Sequence, residues 1–97
     1  MNIFICDDEA LAAEKLAEKV RNSVMQRHLN ASVVKFTDVE KCMASSLERC
    51  DIAFFDVDMK PFNGIDLARK LHSTNPNAII IFVTNYIEYA PTGYEVN

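Results

Sequence analysis

Ninety-seven residues with 49% apolar and 25% charged side chains, no tryptophan and a net charge of −4 describe one folded domain and leave no room for two. That balance excludes intrinsic disorder, and ten basic residues scattered among fourteen acidic ones form no stripe for direct nucleic-acid contact. The longest apolar run, residues 78–83, is far short of the roughly 20 residues that span a bilayer, and no cationic leader precedes an apolar stretch.

The chain therefore reads as cytoplasmic, without membrane contact. Cys6, Cys42 and Cys50 are odd in number and lack CxxC spacing, which predicts reduced packing thiols rather than disulfides or a zinc site.

Residues 3–6, Ile-Phe-Ile-Cys, form an apolar run too short for a helix and closed by Asp7 and Asp8, which predicts a strand buried on both faces. Ala13, Leu16, Ala17, Val20 and Val24 then recur at helical spacing with charges opposite, the pattern of a long amphipathic helix. Residues 31–36 contain Val33 and Val34 and read as a second strand. It ends at Thr37 and Asp38, either of which can cap a second helix with the apolar face Val39, Cys42, Met43, Ser46 and Leu47.

Residues 52–55 are a third apolar run closed by acids. After them come a loop carrying Pro61 and Gly64 and a helix using Ile65, Ala68 and Leu71, which Asn75-Pro76-Asn77 stops. Residues 78–83 are the strongest strand, apolar on both faces and ending in Thr84. Across 86–96, Pro91 and Gly93 predict a short or broken helix, since an interior proline costs about 3 kcal/mol and a glycine about 1. Four tandem βα units with such strands imply a doubly wound α/β fold, a parallel sheet covered by helices on both faces.

Ligands of such sheets bind beyond the carboxyl ends of the strands, where the winding reverses. Asp7 and Asp8 follow the first strand, Asp56 and Asp58 the third, and Thr84 the fourth. Each alone is an ordinary cap or turn residue. Together, carboxylates on one edge repel by about 4 kcal/mol per pair at about 4 Å in a partly screened site, which calls for a cation. All-oxygen ligation that leaves space for waters and a phosphate suits Mg²⁺ better than Ca²⁺ or zinc.

The order Asp7-Asp8, Asp56 within Phe-Phe-Asp-Val-Asp-Met, Gly64 eight residues later and Thr84 closing Ile-Ile-Ile-Phe-Val-Thr resembles the CheY-like receiver domain of bacterial two-component response regulators. Residues 81–86, followed by Glu88-Tyr89-Ala90 and by residues 94–97, further resemble receivers attached to LytTR-type DNA-binding domains. The resemblance covers residues 1–97. It implies that Asp56 accepts a phosphoryl group from a sensor histidine kinase, and that Asp7, Asp8, Asp56 and the backbone carbonyl of Asp58 hold Mg²⁺. It also implies that the Thr84 hydroxyl turns toward the phosphoryl oxygens. The implied role is regulatory, with no enzymatic activity beyond self-catalysed phosphotransfer and dephosphorylation, and it reaches transcription through a DNA-binding domain outside this chain.

Two departures from that family stand out. Lys60 separates Met59 from Pro61, where receivers place proline directly after the methionine, and the fifth strand with its Lys-Pro and the fifth helix are missing before Asn97. The expectation is a C-terminally truncated receiver with strand order 2-1-3-4. Strand 4 then forms a bare edge, the face that the fifth helix covers is open, and the chain forms a homodimer or higher oligomer.

Lys60 is expected to stay solvated rather than replace the family lysine, and His28 and His72 to lie on the surface. Tyr86, Tyr89 and Tyr94 fit either an output face or the core margin. Asp56-Val57-Asp58 also resembles the DxD motif of haloacid-dehalogenase-type phosphatases, although that family carries it on the first strand with its metal-binding acids downstream. A third reading is a dimerisation module that is not phosphorylated.

Overall fold

The computed structural model describes residues 1–83. Within them run β1 (Asn2–Cys6), α1 (Ala10–Gln26), β2 (Ser32–Phe36), α2 (Val39–Met43), a single 3₁₀ turn (Leu47–Arg49), β3 (Ile52–Asp56), α3 (Gly64–Thr74) and β4 (Ile79–Val83). The strands are all parallel, in the order β2-β1-β3-β4, as the alternation of apolar runs and helical stripes predicts. The chain moves outward from β1 to β2 and then returns to the other side of β1, so the winding reverses between β1 and β3. Register sets what meets at that point. Cys6 pairs with Phe55, which brings the next residues, Asp7 and Asp56, to adjacent positions on the carboxyl edge.

The pleat divides the strand residues between two faces. Phe4, Cys6, Ala53 and Phe55 join Val39, Cys42, Leu47, Cys50, Leu67 and Leu71 in one buried cluster under α2 and α3. Phe4 meets the half-buried Phe36 with ring centroids 5.6 Å apart. On the other face Ile3 and Ile5 are buried beneath α1, which buries Ala13 and Ala17. Leu16, Val20 and Val24 complete the predicted stripe but are only half-buried. Val20 and Val24 line an open groove of about 320 Å³ with Ile3, Ile52 and Phe54.

Two local expectations are corrected. The second helix ends at Met43 rather than running to Leu47, and the Ser45 hydroxyl donates to the Cys42 carbonyl at 2.5 Å. Serine side chains compete in this way with the helix ladder. The 3₁₀ turn then returns Leu47 to the core and leaves Ser46 exposed. In α3 Leu71 is buried and Ala68 packs against the core as expected, but Gly64 and Leu67 are the other inward residues and Ile65 is exposed, so the apolar face is centred one position earlier. β4 is the edge strand of the described sheet and exposes Ile79, Ile81 and Phe82, in keeping with the bare edge expected of it.

Caps explain where the helices begin. The Asp38 carboxylate, not the Thr37 hydroxyl, accepts from the Glu40 and Lys41 amides. Asn63 and Asp66 form a reciprocal capping box, each side chain accepting from the other's backbone amide. α3 stops at Thr74, and Asn75 follows as its C-cap, before Pro76. His28 and His72 are exposed. Thr84, the segment 86–96 and its three tyrosines lie outside the described residues.

Candidate functional site

Asp7 leaves the end of β1 with its amide donating to the Phe36 carbonyl of β2 at 3.1 Å, so its backbone is held by the sheet. Its carboxylate accepts from the Glu9 amide at 3.0 Å. Asp56 is the last residue of β3, and the amide of the following Val57 donates to the Val83 carbonyl of β4 at 3.2 Å. Both side chains are buried, at 4% and 6% exposure, whereas Asp8 beside them is exposed. One carboxylate oxygen from each of Asp7, Asp8 and Asp56 lies within 4.8 Å of the others.

Burying carboxylates together disfavours their charged forms. Burial chiefly, with the negative charge of Asp7 next, pushes the Asp56 carboxyl up to about 6, against a smaller opposing hydrogen bond from the Asp58 amide. Asp7 is raised above the usual carboxylate range by burial first and by Asp8 and Glu9 second, while the Glu9 amide opposes the rise. Among the described residues no basic side chain forms an ion pair with these acids. The donor set fits Mg²⁺: three hard oxygens, two from buried carboxylates and one from the exposed Asp8, converge at the carboxyl edge of the sheet, and an octahedral ion with bonds of about 2.1 Å separates its oxygens by about 3 to 4 Å.

Asp58 is exposed, and its side chain lies outside the three-carboxylate cluster. Lys60 is exposed and forms no ion pair among the described residues, in keeping with a solvated lysine. The three cysteines are free and buried. The Cys6 thiol beside it and burial raise Cys42, and burial pushes Cys50 up to about 11, which suits packing and not redox chemistry.

Two further residues support the site, Met59 without any signal in the sequence for its inward position and Gly64 legible there only as a motif element. Met59 is buried and forms part of the core cluster, although both its neighbours are exposed. Gly64 packs so closely that a Cβ there would stand 2.2 Å from the Asp56 carbonyl oxygen. The glycine was visible as a motif element, but its contact with the backbone of Asp56 was not.

Sheet order and pocket together define a doubly wound α/β domain that presents an acidic cation site at its switch point. The family model of the response regulator receiver domain matches residues 3–96, and the chain belongs to that family. It is 29% identical over 98 residues to the sensory transduction protein LytT of Bacillus subtilis, a match covering 100% of this chain and 39% of that protein. It is 33% identical over 98 residues to the transcriptional regulatory protein LytR of Staphylococcus aureus, covering 100% of this chain and 38% of that one. The chain thus spans about two fifths of the length of these curated relatives.

Among solved structures, the response regulator TrrA of Thermotoga maritima in complex with Mg²⁺ and BeF superposes with a TM-score of 0.73 at 21% identity, covering 91% of this chain and 72% of that one. The receiver domain of AraT from Geobacillus stearothermophilus gives 0.69 at 26% identity, covering 93% and 68%. The phosphatase reading has no counterpart here, since Asp56 closes the third strand and the acid pair lies upstream. No described helix is long and apolar enough to cross a membrane.

Proposed function

We propose that this domain is a phosphorylation switch in which Asp56 accepts a phosphoryl group from a phosphohistidine on a sensor histidine kinase. The observation that carries the reading is the meeting of Asp7, Asp8 and Asp56 within 4.8 Å, with Asp56 at the strand end. In the transfer an Asp56 carboxylate oxygen attacks phosphorus, the P–O bond forms, the P–N bond breaks, and the bonding pair returns to the imidazole nitrogen. The nucleophile needs no separate base, because a carboxyl with a pKa of about 6 is mainly ionised at neutral pH. Asp7, Asp8, Asp56 and the backbone carbonyl of Asp58 hold Mg²⁺, and the Thr84 hydroxyl, by the family resemblance, donates to the phosphoryl oxygens. Bound Mg²⁺ offsets the negative charge shared between the phosphoryl oxygens and the carboxylates.

The names of the relatives support a role in signal transduction that ends in transcription; we propose that it acts in the cytoplasm and that DNA is contacted by a domain outside this chain. We further propose a homodimer or higher oligomer formed through the β4 edge, where Ile79, Ile81 and Phe82 are exposed. A monodisperse monomer at high concentration in light scattering contradicts it. Phosphorylation is tested with acetyl phosphate and Mg²⁺ by intact-mass spectrometry. One phosphoryl group per chain is expected, none in Asp56→Asn and none in the presence of EDTA. Continuous hydrolysis of p-nitrophenyl phosphate that Asp58→Asn abolishes contradicts the switch and supports a phosphatase.

A further inference from the structure

The loop between β3 and α3 exposes Asp58, Lys60, Pro61, Phe62 and Asn63, yet Met59 in their midst is 6% exposed. Its Sδ lies 3.8 Å from the Sγ of Cys6, the residue immediately before Asp7. The residue immediately before Met59 is Asp58, whose carbonyl completes the proposed Mg²⁺ ligand set. One buried contact therefore joins the two short segments, 6–8 and 56–59, that carry every proposed protein ligand. We infer that Met59, seated against Cys6, is a positioning residue for the divalent cation, holding residue 58 of the loop beside the carboxylates of Asp7, Asp8 and Asp56. This rests on the Mg²⁺ reading above.

The chemistry of the seat supports that role. The seat belongs to the buried apolar cluster and is shared with the Cys6 thiol; a flexible, unbranched thioether suits it, whereas burying a polar amide there costs free energy and favours its leaving for solvent with the loop. Leucine has nearly the same volume and keeps the seat filled.

The test is the Mg²⁺ affinity of the protein by titration calorimetry, at a temperature where circular dichroism shows every variant folded. Met59→Gln is expected to weaken binding about tenfold, as loss of a group that orients metal ligands does. Met59→Leu is expected to stay within about twofold of the unmodified protein. Leu71→Ala empties the same core cluster at the far end of α3 and controls for stability; it is expected to leave Mg²⁺ affinity unchanged while lowering the urea midpoint at least as much as Met59→Gln. Wild-type affinity in Met59→Gln, or equal weakening in Leu71→Ala, overturns the inference and leaves the Mg²⁺ reading intact. Failure of the unmodified protein to bind Mg²⁺ overturns both.

Discussion

Asp56 has a cost attached to its position. Its carboxyl titrates at about 6 in the fold against 3.8 for the unperturbed group, so the folded state holds its proton more tightly than the unfolded chain does. The contribution of Asp56 to stability is therefore fully present below about pH 4 and is lost as pH rises through about 6. Without metal, Asp56→Asn is expected to stabilise the fold at pH 7.5 by on the order of 2–3 kcal/mol, with the gain shrinking toward zero at pH 4. Urea denaturation of both proteins in EDTA across that range checks it, and a pH-independent difference contradicts it. The acids themselves were legible in the sequence, because apolar runs that end abruptly in Asp7-Asp8 and Asp56 mark the strand ends at which such sheets bind ligands. Met59 was not legible, because nothing in the spacing of a loop says which of its side chains turns inward.

At the level of elements, close approach decides more than propensity does. Alanine at position 64 improves the intrinsic helix preference by about 1 kcal/mol, but its Cβ meets the Asp56 carbonyl oxygen at 2.2 Å. Gly64→Ala is thus expected to destabilise by about 1–3 kcal/mol, read as a lower urea midpoint with an unchanged slope. Asn63→Ala, which removes half of the capping box, is expected to cost about 1 kcal/mol by the same measurement. A gain in stability from Gly64→Ala would show that α3 shifts freely against β3. The helices and strands were largely readable because their apolar periods differ. The early end of α2 was not, since Cys42, Met43 and Leu47 satisfy a helical stripe whether the backbone stays α-helical or tightens into a 3₁₀ turn.

For the whole molecule, topology does what no single residue can: it brings Asp7 and Asp56, far apart in sequence, to neighbouring strand ends through the β1–β3 register. Strand order was readable from the alternation of elements and the family resemblance, and the exposure of β4 from that order rather than from its composition, because burial depends on what packs against a strand. The proposed mechanism requires that the phosphoryl group arrive at one of these acids and that the others serve the cation. Borohydride trapping of the acyl phosphate, followed by peptide mapping after acetyl phosphate treatment, reads that assignment directly. The modification is expected at residue 56 alone, and only with Mg²⁺ present; modification at Asp7, Asp8 or Asp58, or equal modification in EDTA, contradicts it.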